Sequence, residues 1–393
     1  MFKDNLIVKN RDLRNFCVYR LIFGISYTMI LPIIPLYFKE IGFDTILIGT
    51  IASFYGISKT ITQLPFGVVT NTLGDKKSLK FALILMSILP IGYVYSKNSF
   101  MAASLYVLQG GILGMAAPAT YSILARVLDT KRRGESTGFA SAVFTLGGGI
   151  GALISGVIVN RLNNFDLVFY IASFGIFISF IYLLFLVPKN NYRTSSEKIK
   201  NRSIIKELKK EKIIRKTLVL ASIAFLGDYI YGCILSLIHF YGTDVLKGTT
   251  AYTSFIISVY LLVFGIGAPI AGMVSDKIGN KKNLNLSFFV MSLSLLGLYF
   301  IRNKIIFLII IIIYFLGATF LNASLQSELS KASKNESTKG FVFGLVGGAE
   351  SLGFAVGPLI SSYLYNYSKD LLFLSLFFVT LIVSLFYFLN LKK

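Results

Sequence analysis

Long apolar stretches, each of roughly 20 residues, recur along this 393-residue chain at 16–38, 45–69, 79–95, 100–123, 139–159, 167–187, 218–240, 252–274, 284–301, 305–324, 341–363 and 371–391. Each is long enough to cross the hydrocarbon core of a bilayer as a helix. Inside lipid a backbone must satisfy its own hydrogen bonds, which leaves helices or a closed barrel. Barrel strands alternate apolar and polar residues, whereas Ile305 to Tyr314 reads IIFLIIIIIY and is apolar on every face. The expected fold is therefore an all-α membrane protein of twelve transmembrane helices. Composition agrees: 55% of residues are hydrophobic, 15% are charged, and the mean hydropathy is +0.72.

The formal charge of +21 raises the question of nucleic acid, and its distribution answers it. Of the 39 Lys and Arg residues, Arg20 and Lys59 fall deep inside spans, and Lys39, Lys97, Arg161, Lys247, Arg302, Lys304 and Lys369 lie on one side of the proposed membrane. All the others lie on the opposite side. Positive-inside bias then places both termini in the cytoplasm of a multi-pass inner (cytoplasmic) membrane protein. Membrane lipid is the expected partner of this basic surface, and nucleic acid is not. The first apolar run is too long for a cleavable signal and contains Arg20, so it is expected to stay. Cys17 and Cys233 both fall within spans, which excludes a disulfide framework. Tyr37, Tyr93, Tyr95, Tyr299, Tyr363, Tyr365 and Tyr367, near span ends, are expected to form an interfacial belt, and His239 is expected at an interface too.

Six spans lie on either side of one long polar segment, giving a first bundle over 1–187, a basic cytoplasmic linker over 188–216 and a second bundle over 217–393. The linker's second part, SIIKELKKEKIIRK, reads either as a basic amphipathic helix or as a solvated tether. The two bundles echo one another. PFGVVTNTLGDKK, from Pro65, and PIAGMVSDKIGNKK, from Pro269, each follow the second span of a bundle, and two glycine-rich segments, from Arg132 and Ser333, each open a fifth span. Parallel repeats with substrate bound between them form a recurrent transporter plan.

Gly272, Asp276, Lys277, Gly279, Lys281 and Lys282 resemble the signature loop of the major facilitator superfamily. Gly67, Gly74, Lys76 and Lys77 repeat it, but Asn71 and Thr72 stand where the aspartate and first basic residue belong, and Asp75 is displaced. The resemblance implies two pseudo-symmetric six-helix bundles and a conformational role for these loops. Gly147, Gly151 and Gly156 are similar to the glycine motif of the family's drug:proton antiporters, with Ala152 in place of its proline; Gly353, Gly357 and Pro358 repeat it with the proline present. Small residues four apart also serve ordinary helix packing. Gln109 and Gly110 fit the antiporter pattern in the fourth span, where Tyr106 replaces its arginine.

Charges within spans are costly and mark cavities or partners. Arg20 and Lys59 belong to the first bundle, Asp228 and Glu350 to the second. We expect them to meet in a shared crevice, with Asp228 and Glu350 as the proton-coupling candidates, or else to fix helix register. Gln63, Gln109 and Asn322 can line the same cavity or act as interhelical glue. No phosphate-cradling loop, nucleophile elbow or metal-ligand cluster is present, so an enzyme and a bound cofactor are not expected. The reading is a monomeric secondary active exporter of small drug-like or amphipathic molecules, coupled to protons by alternating access. The alternatives are an uptake symporter or facilitator for a sugar-like or anionic metabolite, and a non-transporting receptor or scaffold.

Overall fold

The computed structural model describes residues 10–96, 98–127, 133–186, 213–332 and 336–391. Among these residues every element is a helix: α1 (Arg11–Thr28), α2 (Ile34–Glu40), α3 (Thr45–Leu73), α4 (Asp75–Val94), α5 (Ser99–Val127), α6 (Arg133–Leu162), α7 (Phe165–Leu186), α8 (Ile213–Asp244), α9 (Thr250–Ile278), α10 (Asn280–Phe300), α11 (Lys304–Ala332), α12 (Glu336–Tyr367) and α13 (Leu371–Leu391). Ten of them are long and apolar enough to cross a membrane. The remaining two crossings are α3, interrupted by Lys59, and the pair α1 and α2. Most of the 188–216 segment, including its amphipathic stretch, lies outside the described residues.

The first span is not the single helix over 16–38 that its hydropathy suggests. It breaks at Met29–Ile33 into short turns, with Ile30 N bonding Tyr27 O and Ile33 N bonding Ile30 O. Pro32 has no N–H to continue the ladder, and Thr28 Oγ1 binds both Gly24 O at 2.7 Å and Gly148 O at 2.8 Å, anchoring the end of α1 to α6. At its start, Asn10 caps α1 through Asp12 N and Leu13 N and reaches across to Val127 O.

Packing repeats between the halves. In the first, α1 packs on α6, α3 on α5 and α4 on α7; in the second, α8 packs on α12, α9 on α11 and α10 on α13. The contacts between halves, α6 with α9 and α12 with α3, exchange under the same correspondence. The match extends to the turns: Gly74 (φ +90°, ψ 142°) joins α3 to α4, and Gly279 (φ +88°, ψ 139°) joins α9 to α10. A non-glycine residue would be strained there.

The halves meet over only part of their length. A Cβ on Gly156 would run into Ser254, one on Gly49 into Ser362, and one on Gly56 would come within 3.1 Å of Ala355 Cα. Ser258 Oγ donates to Gly149 O at 2.6 Å, and Lys39 lies 3.9 Å from Asp244 at the same end. Towards the Gly74 and Gly279 turns the helices part. Among the described residues no heavy atom beyond the glycine's own helical turn lies within 4 Å of where a Cβ would stand on Gly67, Gly272, Gly344, Gly347 or Gly348. The result is a crevice closed at one end and open at the other.

Candidate functional site

The floor of the crevice is aromatic. The Phe354 ring of α12 lies 5.8 Å from Tyr55 of α3 and 5.8 Å from Tyr231 of α8, so one ring touches both halves. Tyr55 stacks on Tyr106 at 4.7 Å, its hydroxyl meets that of Tyr27 at 2.6 Å, and Tyr231 stacks on Tyr260 at 5.1 Å. Three charged residues sit one helical turn from these rings, each on the open side: Lys59 after Tyr55, Glu350 before Phe354 and Asp228 before Tyr231. Residues three or four apart share a helix face, so the charges lie on the same helix faces as the rings, with Tyr55 and Phe354 buried and Tyr231 partly exposed.

Lys59 Nζ lies 5.9 Å from the Phe354 ring centroid. Asp228 lies in the field of Lys59, and Glu350 in the fields of Asp228 and Lys59. Arg20 stands apart, its guanidinium 4.1 Å over the Phe144 ring. Tyr121 links the two groups, since it lies in the fields of Arg20, Glu350 and Asp228 while 65% exposed. Among the described residues none of the four charges forms a salt bridge within 4.0 Å. All four thus border one crevice, with Lys59, Asp228 and Glu350 together and Arg20 further along it.

The polar candidates separate. Asn322 is exposed, seven residues beyond Phe315 and so on the face of α11 that meets Tyr260. Gln63 is half-buried one turn beyond Lys59. Gln109 does not line the crevice. It is fully buried in the first half, accepting from Tyr93 OH at 2.8 Å while its Nε2 finds no partner. Tyr106 packs edge-on against Phe38 at 5.5 Å as well as stacking on Tyr55, so aromatic contact fills that place. The tyrosine belt is only partial. Tyr37, Tyr93 and Tyr365 are buried, whereas Tyr95, Tyr363 and Tyr367 are exposed. His239 is not interfacial either; it is fully buried, with Nδ1 on Thr253 Oγ1.

The glycine motifs sit at helix crossings. Gly147 and Gly151 face α1, where a Cβ on Gly147 would stand 2.7 Å from Leu21 O and one on Gly151 would strike Ile25 O. Gly353 and Gly357 face α8 in the same way, against Phe225 O and Tyr229 O, while Pro358 packs on Gly232. Gly156 faces the other half. In the loops, Asp75 and Asn280 each open the helix after the turn glycine, so Asp75 occupies Asn280's place in the repeat. Asp75 is buried, with Oδ1 on Lys76 N at 2.6 Å and Oδ2 accepting from Ser122 Oγ at 3.2 Å. Asn280 bonds Ser327 Oγ at 2.9 Å and Glu328 Oε1 at 2.7 Å. Lys76 Nζ donates to Leu184 O at 3.1 Å. Asp276, Lys277 and Lys281 are exposed, and the side chain of Asn71 lies outside the described residues. No cluster of metal-binding type occurs among the described residues.

The Major Facilitator Superfamily profile matches residues 16–339 and again 217–393. The chain belongs to the major facilitator superfamily. It is a multi-pass membrane transporter and not an enzyme. Over 363 residues it is 24% identical to a quinolone resistance protein, NorA, of Staphylococcus aureus, covering 89% of this chain and 88% of that one. It is 27% identical over 284 residues to the multidrug resistance protein MdtG of Proteus mirabilis, covering 68% and 69%. Its fold is similar to a bacterial homolog of the human lysosomal transporter Spinster in an inward-facing, occupied conformation, with a TM-score of 0.77 at 11% identity over 97% of this chain and 96% of that one. The nucleoside transporter NupG aligns with a TM-score of 0.77 at 13% identity, over 96% and 99%.

Proposed function

We propose that this superfamily member is a proton-coupled exporter of drug-like or amphipathic organic molecules. The observation that carries the reading is the crevice between the halves, where Asp228 and Glu350 of one half face Lys59 of the other beside a floor of aromatic rings. Two carboxylates in a low-dielectric crevice suit exchange of protons against a substrate, and stacked rings suit flat apolar solutes. The names of the quinolone and multidrug resistance relatives support efflux. Loops at the open end carry most of the Lys and Arg, which supports a cytoplasmic placement of that end and of both termini in the inner membrane. The crevice then opens towards the cytoplasm, where an exporter loads. In this reading residues 1–187 and 217–393 rock as monomeric units about the 188–216 tether, with lipid around them, and Asp75, Asp276 and the loop glycines set the limits of the motion.

Flux of a fluorescent organic cation in proteoliposomes tests the reading. Export should follow an imposed pH gradient, and Asp228→Asn should abolish that response. Arg20, held against Phe144 in the same crevice, favours a second reading, uptake or facilitated passage of an anionic or sugar-like solute. Flux of such a solute, indifferent to pH, would support it.

A further inference from the structure

We propose that Lys59 is a resident cation in the organic-cation subsite, one that an incoming substrate must displace. The inference rests on reading this crevice as the substrate site. The Lys59 ammonium lies 5.9 Å from the centroid of Phe354, at the range where a ring face attracts a cation. The same ring has Tyr55 and Tyr231 as neighbours, each at 5.8 Å. Three rings drawn from both halves thus adjoin one another, Tyr55 and Phe354 largely buried and Tyr231 partly so, and a positive charge already stands beside them.

The carboxylates support the same assignment. Asp228 and Glu350 both interact electrostatically with Lys59, yet among the described residues no salt bridge within 4.0 Å holds it. A tightly hydrogen-bonded buried pair is expensive to break, whereas a flexible lysine stem held by field and ring face can swing aside. Arg20 does not compete for the place, because it sits on Phe144. An organic cation that takes the place of the Lys59 ammonium beside these rings therefore exchanges one positive charge for another beside the two acids. Lys59 belongs to the first half and the acids to the second, so its departure also removes an electrostatic tie between them.

Binding of tetraphenylphosphonium to the purified full chain in detergent, at one pH, tests this. Lys59→Met should bind it about tenfold more tightly than the wild type, and Lys59→Arg should stay within about twofold because the charge is kept. Neutral triphenylphosphine oxide should bind all three alike. Thermal unfolding of each variant confirms that it is folded. The assignment is overturned if Lys59→Met binds the cation no more tightly, if the neutral probe tightens equally, or if none of the folded proteins binds the cation. Cation binding that follows Lys59 without pH-driven export would sink the exporter reading alone, and pH-driven export without the tightening would sink the resident cation alone.

Discussion

Single atoms decide which glycines matter. A methyl group on Gly151 would meet Ile25 O and stand 2.7 Å from Thr28 Oγ1; on Gly353 it would meet Phe225 O and stand 3.0 Å from Tyr229 N. Backbone atoms of a packed helix yield little, and overpacking costs about 1–3 kcal/mol. Against that, Gly→Ala in a helix returns at most about 1 kcal/mol of conformational entropy. Gly151→Ala and Gly353→Ala should therefore lower the thermal unfolding temperature. Gly348→Ala, with open space around it, should leave that temperature unchanged or raise it. The paired hydroxyls of Tyr27 and Tyr55 follow another rule. Removing one strands the other in a buried site, at about 1–3 kcal/mol, while removing both leaves nothing stranded. The Tyr27→Phe/Tyr55→Phe double variant should thus lose less stability than the two single variants summed, by a denaturation cycle.

At the level of elements, the turn glycines carry the repeat. Gly74 and Gly279 share nearly the same positive φ and extended ψ, so Gly74→Ala and Gly279→Ala should each cost about 1–3 kcal/mol. Comparable drops in unfolding temperature would bear this out, and a drop in only one would show that the turns are not equivalent. The spans, the repeat and the four charges within spans were legible because hydropathy, loop similarity and ionisable residues are local signals. What partner a residue faces is not local. Tyr37, Tyr93 and Tyr365 lie near span ends but turn inward, and a helix that is apolar all round does not reveal which side meets lipid. The aromatic floor escaped notice for that reason. Its one trace is spacing, since Tyr55, Phe354 and Tyr231 each stand three or four residues from a charge. For Gln109 polarity within a span allows either a cavity or a bond between helices, and its bond from Tyr93 of α4 makes it the second. The break at Met29–Ile33 was foreshadowed by Pro32 alone, and Thr28's bond to Gly148 O, 120 residues away, could not be read from the chain.

Across the whole molecule, the proposed rocking requires that the contacts at the closed end be reversible. Among the described residues those contacts are small side chains in close approach, with hydrogen bonds from Ser258 to Gly149 O and from Ala251 N to Asn160 Oδ1 and a long-range ion pair at Lys39. An exposed pair of that kind contributes about 0–1 kcal/mol, so the closed end is held mainly by packing of Gly49, Gly56, Gly149 and Gly156 against the other half. Gly56 and Ala355 provide the test. A Cβ on Gly56 lies 3.1 Å from Ala355 Cα, so the two positions are in direct contact and a slight parting of α3 and α12 admits a disulfide, and the native Cys17 and Cys233 are buried and replaceable by alanine as a background. Oxidising Gly56→Cys/Ala355→Cys should join α3 to α12, stop proteoliposome flux and leave the crevice open at the Gly74 and Gly279 end, with dithiothreitol restoring transport. Cross-linking raises stability through loop closure whether or not the halves move, so only the loss and recovery of flux is diagnostic. Full cross-linking with undiminished flux would mean that α3 and α12 need not part during transport, and that rocking of the halves about this crevice is not the mechanism.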